Sequence, residues 1–261
     1  MKKRLMTLGC ILCAILLGCC VGYIGWYFYS EKKNEQVYEH LKEEAENSQE
    51  PSATEIPEGE GEISPVPEAE EIPINFESLQ EMNPDIYAWI RIEGTEIDYP
   101  VVQSAEDDTY YLNHTVEGKE GYPGSIYSET FNSKDFSDFN TILYGHNMKD
   151  GSMFQNLHNY QDAAYMAEHP TVIIYTTDQV LRYRIFAAVT YSDIHLAGAF
   201  DYETEAGRQA FLDSVRNTRN MSDVVDQDVE VSSDDRVLTL STCIGAQPEK
   251  RLLVEAVLED E

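Results

Sequence analysis

The distribution of apolar residues divides the 261-residue chain into three segments. Residues 5–29 are almost continuously apolar, whereas residues 30–75 are rich in Glu and Pro and contain few large apolar side chains. From about residue 76 onward, apolar and polar positions recur with the periods of strands and helices. The pattern therefore predicts one folded domain, 76–261, preceded by an apolar segment and a polar linker.

Short runs rich in β-branched and aromatic residues predict that the folded domain is mainly β. Eight such runs are interrupted by two longer helical patterns. The predicted strands are 88–92, 96–102, 124–128, 140–145, 171–176, 180–191, 236–243 and 251–258. Because strands and helices do not alternate as βαβ units, the order favours a closed, mainly antiparallel barrel over a doubly wound sheet.

Helical spacing predicts helices in three places. Residues 76–89 carry apolar side chains three or four positions apart, and Asn83 followed by Pro84 has the form of a helix start, so two short N-terminal helices are expected. Longer helices are predicted over 152–168 and near 202–217. The residues expected to face the core from these two are Met153, Phe154, Leu157, Phe211, Leu212 and Val215.

The apolar segment 5–29 has the length of a membrane-spanning helix. Its 25 residues would rise about 37 Å as a helix, against about 30 Å of bilayer hydrocarbon. Basic residues at 2–4 and aromatic residues at 26–29 favour a cytoplasmic N-terminus (1–4) and an extracellular domain. A cleaved signal peptide and a lipoprotein signal ending at Cys19 are the alternatives. Because the apolar run continues past Cys19, we expect an uncut, single-pass anchor in the cell membrane.

The linker 30–75 contributes to the formal net charge of −30. Its many Glu and Pro residues and its few aromatic residues cannot bury enough apolar area to fold, so a disordered, extended acidic stalk is predicted. The domain that follows is also acidic, which argues against nucleic acid as a partner.

The folded domain contains a single cysteine, Cys243, since the other four lie in the first twenty residues. An extracellular domain held by disulfides would carry cysteines in pairs, so Cys243 cannot form an internal disulfide there. It is a buried apolar residue, an intermolecular link or a nucleophile.

Three residues at predicted strand ends have the chemistry of acyl transfer. Cys243 ends one strand, and Arg251 begins the next after the loop 244–250, so a hairpin would place both beside one loop mouth. His146 directly follows the strand 140–145. A thiol, a base near neutral pH and a permanent cation with several donors suit nucleophilic attack on a carbonyl. Spacing alone leaves structural roles open for all three.

Two motifs resemble those of sortases, specifically class B. They are "YGHNMKDGSMF" (144–154) and "TLSTC" (239–243), the latter followed eight residues later by Arg251. The similarity extends over about residues 76–258 and includes "NPDIYAWIRIEGTEIDYPVVQ" and "YYLNH". The long insertion between the sixth and seventh strands, 192–235, is also similar to class B. The resemblance implies an eight-stranded sortase barrel with a helix in this insertion.

The resemblance also implies a role for each matching residue. Cys243 matches the nucleophile, His146 the general acid/base, and Arg251 the arginine that binds the sorting signal and the oxyanion. Asp108 stands where class B proteins often have asparagine, which affects the expected substrate preference. His114 is expected to be structural. The remaining residues assigned to the substrate groove are Leu112, Tyr144, Ser241 and Thr242.

A cysteine transpeptidase of the Gram-positive surface is the function that the resemblance implies. Such an enzyme cleaves surface proteins at a C-terminal sorting signal of the LPxTG or NPxTG kind, between Thr and Gly. It then transfers the acyl group to an amine of a peptidoglycan precursor or a pilin. The alternatives are a pilin-polymerising sortase, a papain-type hydrolase, in which cysteine precedes histidine, and a non-enzymatic anchored binding module. No metal or nucleotide motif is present, so no cofactor is predicted.

Overall fold

The computed structural model describes residues 2–46 and 71–259. The chain separates into two units, one up to Leu41 and one from Lys42 onward. Helix α1 (Lys2–Glu46) contains the apolar segment 5–29. Across the described residues, no helix combines the length and the apolar character that are needed to span a bilayer.

The first part of the predicted disordered linker is helical, because α1 continues to Glu46. Residues 30–46 contain many Glu and Lys and no Pro or Gly, so good helix formers meet no helix breaker there. The prediction of extended chain was therefore wrong for 30–46. Residues 47–70 of the linker lie outside the described residues.

The domain is built on nine strands, of which eight match the predicted runs. The additional strand, β7, has two residues and lies in the long insertion. The strands are β1 (Ile86–Arg91), β2 (Asp98–Val102), β3 (Ile126–Tyr127), β4 (Asn140–Tyr144), β5 (Thr171–Tyr175), β6 (Val180–Ser192), β7 (Val224–Val225), β8 (Val237–Ile244) and β9 (Gln247–Leu258).

Eight of these strands close into a barrel. The order of neighbours is β5-β1-β2-β3-β4-β8-β9-β6, and the additional pairing of β5 with β6 closes the ring, while β7 pairs with β6 beside it. All pairings are antiparallel except β2 with β3 and β4 with β8. The predicted closed, mainly antiparallel barrel is confirmed.

The parallel pairing of β4 with β8 determines where the candidate residues lie. Its register extends from Asn140 opposite Val237 to Tyr144 opposite Ser241. Because parallel strands run in the same direction, the residues that follow them leave the sheet at the same rim. His146, after β4, and Cys243, near the end of β8, are therefore brought to one edge although they are far apart in sequence.

The β8–β9 hairpin is tighter than the sequence suggested. Cys243 lies opposite Arg251, and Ile244 lies opposite Gln247, so residues 248–250 form a bulge on β9. The predicted loop of seven residues, 244–250, shortens to a turn at Gly245 and Ala246. The predicted hairpin itself, with Cys243 beside Arg251, is confirmed.

Only one of the two predicted N-terminal helices is present in the described domain, α2 (Phe76–Met82). Asn83 ends α2 through its backbone N–H, which donates to Leu79 O at 3.0 Å. Its side-chain amide donates to the Tyr111 hydroxyl and to Val116 O. These tertiary bonds outweigh the local helix-start pattern, and β1 begins at Ile86 instead.

The helix predicted over 152–168 is divided in two. A 3-10 helix, Gln155–Gln161, is followed by α3 (Ala163–Glu168), and the Asp162 side chain caps α3 by accepting from Ala164 N. The insertion after β6 contains α4 (Leu196–Ala199) and α5 (Glu205–Arg216).

The insertion packs against the barrel through α5. The six predicted inward-facing residues of the two longer helical segments are all buried, each with at most 1% of its surface exposed. Phe211, Leu212 and Val215 form one apolar cluster with Phe186 of β6 and Leu253 of β9. Because β6 and β9 also border the rim, this cluster fixes the insertion next to the candidate residues.

Candidate active site

An open groove lies at the rim where β4 and β8 end. Its walls come from residues 144–146, 241–243 and 192–196, together with four single residues. The single residues are Leu112, Tyr127, Arg251 and Leu253. Every residue that the sequence assigned to the site lines this groove except Asp108.

The Cys243 side chain is exposed in the groove and is not in a disulfide. The two residues before it, Ser241 and Thr242, are buried. Thr242 Oγ1 donates to Gly145 O at 2.8 Å, which joins the end of β8 to the end of β4. An exposed thiol on a well-fixed strand is suited to nucleophilic chemistry and excludes the alternative of a buried apolar residue.

His146 is held by a main-chain carbonyl across the groove. Its Nε2 lies 2.8 Å from Leu112 O. Since a carbonyl oxygen only accepts, Nε2 carries the hydrogen in this arrangement, and in the neutral ring Nδ1 is then an acceptor. The Tyr122 ring lies beside the imidazole, with centroids 5.0 Å apart. Leu112 therefore contributes its carbonyl to the orientation of His146, besides its half-exposed side chain.

Gly145 allows β4 to end close to its neighbours. A Cβ at this position would lie 2.5 Å from Ile126 Cδ1 and 2.7 Å from the Phe154 ring. Its N–H donates to Ser241 O at 3.1 Å, which continues the pairing of β4 with β8 by one step. The glycine before His146 is thus required by close packing.

Arg251 lies directly opposite Cys243 on β9. Its Nη1 donates to Pro248 O at 2.8 Å and to Lys250 O at 2.9 Å, so the bulge of β9 holds one end of the guanidinium. A guanidinium has five N–H donors in a fixed plane, which leaves Nε and Nη2 for a bound group. The bulge therefore orients this cation in the groove.

Two stacked tyrosines form part of the groove wall. The Tyr127 and Tyr144 rings have centroids 5.3 Å apart. Burial, with the nearby Glu129 carboxylate, raises the pKa of both phenols. Glu129 Oε2 lies 2.6 Å from His195 Nε2, which ties the segment after β3 to the segment before α4. The tyrosines stay neutral at physiological pH, and the groove wall is held together across the insertion.

The Asp108 and His114 side chains make hydrogen bonds to main-chain atoms near the groove. Asp108 Oδ1 accepts from Thr130 N at 2.7 Å, so the carboxylate holds the chain after β3, and its role in substrate preference stays a prediction. The His114 ring stacks on Tyr110 with centroids 3.8 Å apart, and its Nδ1 lies 2.7 Å from Tyr110 O. These contacts agree with the structural role expected for His114.

Sequence reasoning missed several residues of the site. Residues 193–196 and Tyr127 line the groove, and Asn147 and His158 contact the backbone of Cys243. Asn147 directly follows His146 inside the motif 144–154, so the sequence contained a signal that could have identified it. His158 lies in a 3-10 helix with no motif of its own, and its contact with a main-chain atom leaves no trace in the sequence.

A closed barrel that presents an exposed thiol, an oriented imidazole and an oriented guanidinium in one groove defines a cysteine acyltransferase class of enzyme. The protein family model described as "Sortase domain" matches residues 90–259. The chain belongs to the sortase family, and the relatives that follow assign it to class B, the cysteine transpeptidases called sortase B.

Sortase B of Listeria monocytogenes serovar 1/2a is 38% identical over 175 residues, which cover 66% of this chain and 68% of that protein. Sortase B of Staphylococcus aureus is 34% identical over 69% of this chain and 73% of that protein. The match to the solved structure of Bacillus anthracis sortase B covers 90% of this chain and 100% of the B. anthracis chain, with a TM-score of 0.71 and 28% identity. The match to the S. aureus sortase B–substrate complex covers 71% of this chain and 84% of the S. aureus chain, with a TM-score of 0.63 and 32% identity.

Proposed function

We propose that this class B sortase cleaves surface proteins at a C-terminal sorting signal of the LPxTG or NPxTG kind. The bond cleaved joins Thr to Gly, and the acyl-protein is transferred to an amine of the cell wall. The observation that carries the proposal is that Cys243, His146 and Arg251 line one open groove. A relative, S. aureus sortase B, is known as a complex with its substrate, and we propose that the substrate of this chain is a peptide bound in the groove.

The groove suits an extended peptide with small apolar side chains. Leu112, Ile194, Leu196 and Leu253 supply apolar surface, and the Tyr127–Tyr144 pair supplies a flat wall. Polar contacts come from Ser241, Thr242 and Arg251, close to the thiol. Apolar walls with a few polar groups are typical of peptide sites that select both shape and register.

In the first half of the reaction, the Cys243 thiol gives its proton to His146, and the sulfur attacks the Thr carbonyl carbon of the signal. The carbonyl oxygen becomes an oxyanion, and Nε and Nη2 of Arg251 are the donors that remain to bind it. The Thr–Gly C–N bond then breaks as His146 gives a proton to the departing amine. The products are a Cys243 thioester and a released peptide that begins with Gly.

In the second half of the reaction, the nucleophile is an acceptor amine, which attacks the thioester in preference to water. His146 takes a proton from the amine as its nitrogen attacks the thioester carbon. The new C–N amide bond forms, the C–S bond breaks, and His146 passes the proton to the departing sulfur, which restores the Cys243 thiol. The amine is that of a peptidoglycan precursor in our proposal.

We also propose that residues 5–29 anchor the enzyme in the cell membrane, with the N-terminus in the cytoplasm and the catalytic domain outside. The support is the sequence itself, with its apolar run, its basic residues at 2–4 and its acidic linker. An anchor would hold the enzyme beside substrates that cross the same membrane and raise their effective concentration.

The proposal is tested with the purified full-length chain and a library of pentapeptides related to LPxTG and NPxTG. Mass spectrometry should detect Thr–Gly cleavage and a thioester on the tryptic peptide 237–250, which contains Cys243. Cys243→Ala is the control, and it should fold normally and cleave nothing. Cleavage by the alanine variant, or no cleavage of any member by the wild type, would refute the proposal. Adding triglycine or a pilin-type lysine peptide then reports which amine is accepted.

A further inference from the structure

The backbone carbonyl of the nucleophile accepts two side-chain hydrogen bonds from outside the groove. Asn147 Nδ2 donates to Cys243 O at 3.1 Å. His158 Nε2 lies 3.1 Å from the same oxygen, and because a carbonyl only accepts, this nitrogen is the donor. A carbonyl oxygen has two lone pairs, so the two donors together satisfy it.

The Asn147 side chain donates to Cys243 O in place of a backbone N–H, because the pairing of β4 with β8 ends before this position. The last step of the β4–β8 pairing is the bond from Gly145 N to Ser241 O. In a parallel ladder the next bond would run from the backbone N–H of Asn147 to Cys243 O. The chain instead turns back on itself here, with Asn147 opposite Met153 and Phe154 N donating to His146 O. The Asn147 side chain makes the missing bond, and the turn frees His146 to face the groove.

His158 reaches the same oxygen from a well-fixed helix. It belongs to the 3-10 helix Gln155–Gln161, whose Leu157 and Tyr160 are fully buried. Burial lowers the pKa of the half-buried His158 imidazole, although the bond to the Cys243 carbonyl opposes this shift. The ring is therefore a neutral donor at neutral pH, with its hydrogen on Nε2.

We propose that Asn147 and His158 are positioning residues that fix the main chain of Cys243, and with it the thiol, relative to His146. Asn147 follows His146 directly in the chain, so its bond couples the general acid/base to the nucleophile. His158 adds a second fixed point from another element. The effect on turnover rests on the proposed function, whereas the effect on the thiol does not.

Three variants separate the hydrogen bonds from mere packing. Asn147→Leu and His158→Phe keep the approximate size of each side chain and remove the donor. His158→Gln keeps an amide donor at a similar reach. We expect kcat on a cleaved sorting peptide to fall about 10- to 100-fold in the first two variants, because small misplacements of reacting groups have effects of this size. KM should stay within about twofold, and His158→Gln should recover most of the activity.

Asn156→Leu is the matched control. Asn156 lies in the same 3-10 helix, and its amide also donates to a loop carbonyl, Gly151 O, at 2.9 Å. It makes no bond to Cys243 O, so its variant should retain kcat. Thermal unfolding of every variant shows whether the fold is kept. If the variants at position 147 or at position 158 do not fold, the variants at the other position test the positioning role.

Alkylation of Cys243 gives a second measurement that needs no peptide substrate. The full-length chain is treated with iodoacetamide at pH 7, and modification of the tryptic peptide 237–250 is followed over time. We expect slower alkylation in Asn147→Leu and His158→Phe, since the thiol no longer keeps its place beside His146 and Arg251.

The two measurements distinguish the possible failures. Slower alkylation in the two variants, with no peptide turnover by the wild type, would uphold the positioning role and refute the proposed function. Wild-type kcat and wild-type alkylation in both variants would overturn the positioning role and leave the proposed function intact. A folded His158→Gln variant as impaired as His158→Phe would remove His158 from the proposal.

Discussion

At the scale of single residues, the chemistry depends on how each reactive side chain is held. Cys243 is fixed through its main chain, His146 through Leu112 O, and Arg251 through the carbonyls of Pro248 and Lys250. In each case a main-chain oxygen or a backbone position provides the orientation. Side chains fixed in this way need little reorganisation when charge develops in a transition state.

Arg251→Lys should be nearly as damaging as Arg251→Ala. One end of the guanidinium is occupied by two carbonyls, and the other end keeps donors for the oxyanion. A lysine ammonium has the charge but lacks the planar set of donors that serves both sides at once. We expect kcat to fall about 10²–10³-fold, or about 2.7–4 kcal/mol, in both variants.

Steady-state kinetics on one cleavable peptide measures this effect. Lys250→Ala, which removes the neighbouring cation, is the control and should stay close to wild type. Near wild-type turnover in Arg251→Lys would show that charge alone is needed and would exclude the oxyanion role.

A buried carboxyl group makes the stability of the domain depend on pH. Glu255 of β9 is fully buried, and Thr239 Oγ1 lies 2.7 Å from its Oε2 and 2.8 Å from Asn140 Oδ1. The threonine hydroxyl has one hydrogen, and the amide oxygen can only accept it, so Glu255 must supply the other hydrogen as a neutral acid. Burial raises its pKa from 4.5 to about 8, which agrees with this arrangement.

Glu255→Gln should flatten this pH dependence. Because the folded pKa is raised, the folded state keeps a proton that the unfolded state loses, and stability falls as pH rises from about 4.5 to about 8. The loss should amount to a few kcal/mol, since one pKa unit corresponds to about 1.4 kcal/mol. Urea unfolding of wild type and variant at pH 5 and pH 8.5 measures it. Glu259→Gln, at an exposed position, is the control and should behave as wild type. If the free energy of unfolding of Glu255→Gln falls between pH 5 and pH 8.5 as much as that of the wild type, the prediction is contradicted.

The residues of the candidate site could be named from the sequence, but their supporting contacts could not. A lone thiol, an imidazole and a guanidinium at strand ends suit acyl transfer but left structural roles open, and the resemblance to class B sortases supplied the proposed roles. The supporting contacts of His146, Cys243 and Arg251 go to carbonyl oxygens, which every residue carries. Such contacts depend on the fold and not on side-chain identity, so the sequence does not reveal them.

At the scale of elements, the strands were predictable and the helix boundaries were not. Short runs rich in β-branched and aromatic residues identified all eight barrel strands, because these strands are buried along most of their length. The Asn83–Pro84 pattern misled, because Asn83 uses its amide for Tyr111 and Val116 in place of a helix start. The two-residue β7 was missed, because Asp223 and Asp226 flank its two valines, and Asp is uncommon in strands.

Gly145→Ala tests how β4 ends. An added methyl group would lie within 2.7 Å of the fully buried Phe154 ring and 2.5 Å from Ile126 Cδ1. Overpacking of this kind costs about 1–3 kcal/mol, and the displaced backbone would move His146. We expect a lower midpoint of thermal unfolding together with a lower kcat.

Gly121→Ala is the control for this substitution. A Cβ there meets only an ordinary contact, 3.9 Å from Thr115 Cγ2. Differential scanning fluorimetry and peptide turnover on both variants give the comparison. A Gly145→Ala variant as stable and as active as Gly121→Ala would show that the end of β4 adapts without cost.

At the scale of the whole molecule, buried and capping residues precede residue 76, where the sequence predicts that the folded domain begins. Ile74 is buried, and Asn75 Oδ1 accepts from Ser78 N at 3.1 Å as the cap of α2. A fragment 71–261 should therefore be more stable than 76–261. The difference combines about 1 kcal/mol for the cap with about 1.5–3 kcal/mol for Ile74.

Urea unfolding of the two fragments measures this difference, and both should be soluble and cleave the same peptide. Asn75→Ala in the longer fragment isolates the contribution of the cap. Equal stability of the two fragments would place the limit of the domain at residue 76, as the apolar pattern alone suggests.

The order of the strands around the barrel could not be predicted from the apolar pattern, because pairing partners such as β4 and β8 are distant in sequence.

The position of the β8–β9 hairpin between β4 and β6 has a consequence for biosynthesis. A ribosome makes all other strands first, and until the hairpin arrives β4 and β6 face an open gap with unpaired edges. The same hairpin carries both Cys243 and Arg251. A nascent chain thus has neither Cys243 nor a closed barrel until this hairpin has been made. Catalytic competence is thereby coupled to synthesis of the β8–β9 hairpin, and a chain that terminates before Cys243 should be inert.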